Sequence, residues 1–324
     1  MQLRTTFDIA PSQNKITHQN KLLAVGSCFA AMIGKRLKER KYDISVNPFG
    51  TIFNPASLFQ LMEKAITGEA FNKEDIISHQ DKYLHYQYHS DVCANSASEL
   101  QSLIHEINDS TKQYLNDASH LFITLGTAFA YRHVGSSSLV ANCHKQPSSL
   151  FNKDVLSLQE MESSFLKFYG ELIRVNPKIN IIITVSPVRH TKDGIPENQL
   201  SKSLLVVFAN QLSEQLQNIR YFPSYELMMD DLRDYRFYKE DMIHPTEQAE
   251  KYIWDKFTAC FIHAQDQELD AKISSILDSL SHKPFHPASE AHQAFLHKLV
   301  EQIKQMPDHL DFSGELKRIE KQLL

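Results

Sequence analysis

Five short apolar runs, rich in β-branched residues, divide the chain as far as Phe222. They are residues 22–26, 43–46, 120–126, 179–186 and 219–222. The third and fourth runs are almost continuously apolar, which is typical of strands buried on both faces of a parallel sheet. Segments with helical spacing separate the runs, namely residues 29–40, 55–66, 98–115, 157–175 and 199–217. This alternation predicts an α/β fold with a doubly wound, mostly parallel five-stranded sheet.

Two stretches interrupt the alternation. Residues 82–89 alternate like a short strand, and residues 130–144 have the pattern of a β-hairpin around a Gly/Ser turn. We expect both to wall a pocket at one edge of the sheet. After Trp254 the alternation stops, and the remaining chain is helical and charge-rich, with breaks at Pro284 and Pro287. The pattern therefore predicts a main domain over residues 1–263 and a C-terminal helical extension over residues 264–324.

Composition narrows the function classes. The 324 residues carry a net charge of −5, so the chain lacks the excess positive charge with which proteins bind nucleic acid or an anionic membrane. The four cysteines lack a CxxC spacing and the histidines form no compact ligand set, so we expect neither metal nor cofactor. The first residues lack the apolar core of a signal peptide, and no apolar stretch is long enough for a bilayer. These features favour a cytoplasmic protein with reduced thiols.

The turn from the first strand into the first helix carries a hydroxyl and a thiol, at Gly26-Ser27-Cys28. A side chain at such a turn points into the crevice above a parallel sheet, where open α/β sheets bind ligands. It also faces the positive end of a helix, which can depress the pKa of a thiol. Both Cys28 and Ser27 are candidate nucleophiles. Cys28 is favoured because a thiol is the better intrinsic nucleophile. Ser27 could instead cap the helix.

A candidate base and its carboxylate come late in the chain, at Asp241 and His244. Three residues apart, they would share one face of a helical turn. Pro245 suits the first position of a following helix over residues 246–257, which would present His244 at a loop-to-helix junction. A histidine that takes the nucleophile's proton and a carboxylate that orients it are the parts of acyl-transfer chemistry. The alternatives are a surface histidine and a capping aspartate.

The string Gly-Ser-Cys-Phe-Ala at residues 26–30 spells the motif of the GSCFA family, which the chain resembles over most of residues 1–260. Residues 47–55, 140–145, 185–190 and 241–245 support the match. This family looks like a branch of the SGNH/GDSL hydrolase superfamily. The resemblance implies a flavodoxin-like three-layer α/β/α fold, a nucleophile in the first block and an Asp-x-x-His near the end. It also implies an oxyanion hole built from the nucleophile's amide, a glycine and an asparagine.

When the superfamily's Gly-Asp-Ser block is aligned with residues 26–28, Cys28 takes the position of the nucleophilic serine. Ser27 takes the position of the aspartate. Gly50 matches the oxyanion glycine. The third block, usually Gly-x-Asn-Asp, is Gly-Thr-Ala-Phe at residues 126–129, so the oxyanion asparagine is missing. Candidates to replace it at the oxyanion or substrate site are Asn142, His144 and His190.

The sequence thus predicts a hydrolase or acyltransferase acting on an ester or thioester of a small or carbohydrate-linked acyl group. Its triad would be Cys28 (or Ser27), His244 and Asp241. The implied partner is a small-molecule or glycan acyl ester, with an acyl-CoA as an alternative. The rival interpretations are a non-catalytic ligand-binding protein that retains the crevice, and a redox-sensing thiol at Cys28.

Overall fold

The structure is a computed structural model that describes residues 4–282 and 284–324. Within these ranges the chain forms ten strands and ten helices. The strands are β1 (Lys21–Gly26), β2 (Asp43–Val46), β3 (Ile76–His79), β4 (Lys82–His85), β5 (His120–Leu125), β6 (Phe129–His133), β7 (Leu139–Val140), β8 (Phe151–Val155), β9 (Asn180–Val185) and β10 (Ile219–Phe222). The helices are α1 (Cys28–Glu39), α2 (Pro55–Thr67), α3 (Ala97–Asp117), α4 (Leu158–Val175), α5 (Ile195–Gln215), α6 (Ser224–Glu226), α7 (Glu247–Phe261), α8 (Ala264–Ser281), α9 (Glu290–Lys304) and α10 (Ser313–Glu320).

Five strands form one central sheet in the order β2-β1-β5-β9-β10, and every neighbouring pair is parallel. They are the five strands predicted from the apolar runs, and the predicted fold class is confirmed. Counted along the central sheet alone, this is the flavodoxin-like order 2-1-3-4-5. The order reverses between β1 and β5, so the crevice at their carboxyl ends is where such a fold binds ligands.

Alternate residues of each central strand enter different cores, which produces three layers. On one face, Leu23 and Ile123 pack with apolar residues of α2, α3, α4 and α5. On the other face, Leu22 and Phe122 pack with α1 and α7. Helices α1 and α7 are therefore neighbours in one layer, and both begin at the carboxyl edge of the sheet. In the described ranges, no helix combines the length and apolar character needed to cross a bilayer.

Two small antiparallel sheets interrupt the alternation. Strands β3 and β4 pair with each other, and β6 pairs with both β7 and β8. The predicted strand over residues 82–89 is shorter than expected, and the predicted hairpin over 130–144 is part of a three-stranded sheet. The hydrogen bond from Ala141 N–H to the Tyr86 carbonyl (2.9 Å) joins the two sheets. We call them together the excursion wall.

Helices α8, α9 and α10 share an apolar cluster of their own, which includes Ile273, Leu299 and Ile319. A buried polar contact connects this cluster to the main domain. His18 Nδ1 lies 2.7 Å from Asp266 Oδ1, and its Nε2 lies 3.3 Å from Asp270 Oδ1. The imidazole stacks on Tyr42 with ring centroids 4.0 Å apart. We call His18, Tyr42, Asp266 and Asp270 the histidine clamp.

Candidate functional site

The turn between β1 and α1 is tight because two backbones meet there. Gly26 has φ +124°, and a Cβ on it would lie 2.1 Å from the Thr124 carbonyl oxygen of β5. The Ser27 N–H donates to the same oxygen at 3.0 Å. The Ser27 side chain is fully buried, and its Oγ accepts a hydrogen bond from the Phe29 N–H at 3.3 Å. Ser27 is thus the N-cap of α1, and Cys28 is the first residue of the helix and partly exposed.

The environment of the Cys28 thiol differs from the sequence expectation. Burial raises its pKa, although the Lys202 ammonium and the N–H groups of Cys28 and Phe29 act in the opposite direction. The carboxylate of Glu250 on α7 also raises it. The net shift is upward because burial outweighs the helix N-terminus. At neutral pH the group is therefore a thiol that needs a base.

Asp241 and His244 are joined directly, with His244 Nδ1 2.7 Å from Asp241 Oδ2. The other carboxylate oxygen accepts the N–H groups of Ile243 and His244 at 2.8 and 3.0 Å. The hydrogen bonds from His244 and Ile243 lower the pKa of Asp241 to about 2. The expected helical turn is wrong, because the segment is a tight loop in which Met242 has φ +56°. The bond forms through an Asx-type turn instead.

Backbone contacts fix this loop against the sheet edge. Arg189, which follows β9, donates its N–H to the Ile243 carbonyl at 3.2 Å, and its guanidinium lies 4.2 Å from the centre of the Tyr238 ring. His244 lies shortly before α7 in the loop that leads into it. The predicted first position for Pro245 is wrong, because the helix begins at Glu247 with Thr246 as its N-cap and ends at Phe261. Cys28 and His244 thus stand at the same edge of the sheet, each at a helix start. Within the described ranges, no hydrogen bond links the two side chains.

Gly50 lies in the loop after β2 with φ +75°. A Cβ there would lie 2.2 Å from the Cβ of His89, so only glycine lets the two loops approach. Its N–H, the expected oxyanion donor, is donated to the Asn47 carbonyl at 2.8 Å. The loop continues over the strand ends, where Phe53 O accepts the Gly126 N–H at 2.9 Å.

Asn142 and His144 lie in the excursion wall and bond to its other parts. Asn142 Oδ1 accepts the His144 N–H at 2.9 Å, and its amide donates to Ser90 Oγ at 3.2 Å. Both ring nitrogens of His144 have partners, Ser90 Oγ at 3.1 Å and the His85 carbonyl at 2.9 Å. Burial lowers the pKa of His144. These contacts stabilise the wall, and a substrate role for either residue stays a prediction.

His190 follows β9 at the carboxyl edge, as expected from the sequence. Its N–H donates to Asn198 Oδ1 at 2.8 Å, and its ring packs edge-on against Phe53 with centroids 5.1 Å apart. Burial first, and then the charge of Lys202, lowers its pKa to about 4. Nε2 is buried, and no hydrogen-bond partner for it lies among the residues that the structure describes. A neutral imidazole with a free nitrogen is thus held at the crevice edge.

Sequence comparison identifies the family. The profile of the GSCFA family matches residues 21–257, from the first residue of β1 into α7. The chain belongs to the GSCFA family. A second profile, described as the C-terminal domain of GSCFA domain proteins, matches residues 273–324, which include the second half of α8 and all of α9 and α10. None of the curated proteins matches the chain.

One buried residue within the matched residues 21–257 was not among the candidates from the sequence. Lys202 on α5 is 1% exposed, and its Nζ donates to the Gly126 and Ser186 carbonyls, each at 2.8 Å. A signal for it was present, since Lys202 shares a helical stripe with Leu205, Ala209 and Leu212, all buried. In residues 4–282 and 284–324, no group of three or more His, Cys, Asp or Glu side chains is arranged to hold a metal ion.

Proposed function

We propose that this GSCFA protein is an SGNH-type acyl hydrolase or acyltransferase acting on an ester or thioester of a small or carbohydrate-linked acyl group. The observation that carries the proposal is the 2.7 Å contact between His244 Nδ1 and Asp241. It leaves Nε2 as the proton acceptor, and the ionised carboxylate stabilises the imidazolium that forms. The parallel sheet supports the proposal too, because its strand order puts a crevice beside Cys28.

In the proposed reaction, Cys28 Sγ attacks the carbonyl carbon while its proton passes to His244 Nε2. The N–H groups of Cys28 and Phe29 stabilise negative charge at the start of α1. The alcohol or thiol leaves with the proton from His244, and the acyl group stays on Cys28 as a thioester. Water or an acceptor hydroxyl then attacks with His244 as base. Cys28 is preferred over Ser27 because the Ser27 hydroxyl is buried in a cap.

A non-catalytic ligand-binding function is the second candidate, and one observation favours it. The Gly50 N–H is already bonded to the Asn47 carbonyl, and residues 126–129 lack the asparagine expected there. A crevice without these two donors would hold an ester less effectively at its transition state. The same fold would still bind a ligand.

The test is turnover of p-nitrophenyl esters of increasing acyl length and of acyl-CoA thioesters, with intact-mass analysis of the protein. We expect Cys28→Ala and His244→Ala to lose turnover, and the acyl adduct to map to Cys28. Cys143→Ala is the matched control, since Cys143 is also a partly exposed free cysteine. Full activity in Cys28→Ala with loss in Ser27→Ala would assign the reaction to serine. Ligand binding without turnover of any ester would favour the second candidate.

A further inference from the structure

Arg189 is a half-buried arginine beside the loop of the proposed base, and the proposed reaction does not use it. Its N–H donates to the Ile243 carbonyl at 3.2 Å, and its Nη1 lies 3.5 Å from the Met242 carbonyl oxygen. These two residues directly precede His244 in the chain. Arg189 is therefore fixed to the same short loop that carries the imidazole.

Two aromatic rings hold the guanidinium of Arg189 in place. Its Cζ lies 4.2 Å from the centre of the Tyr238 ring and 5.9 Å from that of the Tyr235 ring. Tyr238 also pairs by a β-bridge with Pro245, the residue after His244. Attraction between a cation and an aromatic ring uses the charge of the guanidinium and none of its N–H groups. The N–H groups of Arg189 therefore stay available to an acceptor.

The guanidinium has no acidic partner within the chain as described. In residues 4–282 and 284–324 its side chain forms one hydrogen bond, the long contact to a carbonyl already given, and no ion pair. The nearby Arg233 and Arg236 are more exposed, yet each pairs with a carboxylate, that of Asp230 and Asp234 respectively. A carboxylate or a phosphate is the partner that the fork of N–H groups in arginine fits best. Arg189 thus lacks the anion that its two neighbours have.

A second group beside Arg189 also lacks an acceptor. Tyr238 is 7% exposed, and its hydroxyl is buried with no hydrogen-bond partner among the described residues. Burial raises the pKa of Tyr238, although the charge of Arg189 acts in the opposite direction, so the hydroxyl keeps its proton. Buried donors without an acceptor are rare because they cost stability. An anionic oxygen would supply the acceptor that both groups lack.

We propose that Arg189 binds an anionic oxygen group, a phosphate or a carboxylate, on the alcohol or thiol that leaves in the proposed reaction. The inference rests on the proposed function. There, His244 gives its proton to the leaving group, which must lie beside the imidazole, while the acyl group stays on Cys28. Arg189 is fixed to the loop of His244 and so lies on the side of the leaving group. It contacts no reacting atom and determines which carrier of the acyl group is accepted.

The experiment compares kcat and KM for two matched pairs of acetyl esters. The carboxylate pair is p-nitrophenyl acetate with a ring carboxylate, and the same ester with that carboxylate methylated. The phosphate pair is the acetyl esters of glycerol phosphate and of glycerol. We expect the wild type to show a KM about tenfold lower for the anionic member of one pair. Arg189→Met should raise that KM about tenfold, leave kcat almost unchanged and leave the neutral ester unaffected.

Arg236→Met is the matched control. Arg236 also lies over an aromatic ring, that of Phe237 at 5.4 Å, but it has Asp234 as its partner. This variant should keep the wild-type preference for the anionic ester. An arginine that only stabilised the loop would act differently, because its loss would lower kcat for both members of a pair alike. Such a result for Arg189→Met counts against the inference.

The wild type alone gives a readout that does not depend on the folding of any variant. Equal KM values within both pairs overturn the inference and leave the proposed reaction intact. A preference in one pair distinguishes a phosphate from a carboxylate. If no ester is turned over, calorimetric titration with glycerol phosphate and with the carboxylated nitrophenol decides. Binding that Arg189→Met abolishes supports the anion site and counts against the proposed reaction alone, whereas no binding of either anion overturns the inference.

Discussion

The histidine clamp makes a prediction that can be worked through from the structure. The His18 side chain is 2% exposed, and those of Asp266 and Asp270 are 14% and 8% exposed. His18→Ala would leave two nearly buried carboxylates without their shared partner. Removing one member of a buried ion pair costs about 3–5 kcal/mol, and lost ring stacking adds about 0.5–1.5 kcal/mol. We expect the free energy of unfolding to fall by about 4 kcal/mol at pH 6.

The loss of unfolding free energy in His18→Ala should depend on pH, and the direction follows from the pKa of His18. Burial lowers the pKa of His18, but Asp270 and Asp266 outweigh it, so the net shift is upward. A group with a raised pKa in the folded state contributes its full stability below the unfolded value of about 6.5. The contribution is lost as pH rises through the folded value. The difference in free energy of unfolding between wild type and His18→Ala should therefore become smaller from pH 6 to pH 9.

The assay is urea unfolding at both pH values, with hydrogen exchange of the α8 amides to detect local release of α8–α10. His263→Ala is the matched control, because His263 lies 3.5 Å from the same Asp266 but is 46% exposed. Such an exposed pair contributes less than about 1 kcal/mol. Equal losses in the two variants, or a His18→Ala loss that is the same at pH 6 and pH 9, would refute the reasoning.

Two further predictions concern backbone and burial. Gly26→Ala should lower the free energy of unfolding by more than about 3 kcal/mol, since the new Cβ would clash with Thr124 O and the residue has a positive φ. Gly170→Ala, on an open face of α4, should raise the free energy of unfolding by about 0.5–1 kcal/mol, as measured by thermal unfolding. An unharmed Gly26→Ala would contradict the tight turn. Burial lowers the pKa of His85 and His120 to about 4, so stability should fall as pH drops from about 6.5 to 4, and NMR titration should find both rings neutral at pH 6. Rings that titrate near 6.5 would count against this.

The central sheet was predictable because β5 and β9 are almost continuously apolar and segments with helical spacing separate the five apolar runs. Strand β8 was missed since its three middle residues, Asn152, Lys153 and Asp154, are all polar, and only Phe151 is buried. Helix α5 begins four residues before the predicted start, at Ile195. Its exposed apolar residues, among them Leu200, blur the helical periodicity.

The candidate site was predictable where sequence spacing sets the contact. Asp241 and His244 are three residues apart, and a local turn is enough to join them. Lys202 was not found, because a lysine in a helix is usually exposed and its partners are carbonyl groups that the sequence does not distinguish. The direction of the Cys28 pKa shift also depends on how deeply the turn is buried.

The excursion wall has a consequence for how its two sheets can be exchanged. Its two sheets are inserted after different central strands, yet they bond to each other through Tyr86 with Ala141 and through His85 with His144. A loop graft from another GSCFA protein that replaced one sheet would cut these bonds and leave His144 facing a foreign backbone. The two insertions therefore form one unit of exchange, and a chimaera should transplant residues 76–94 and 129–155 together.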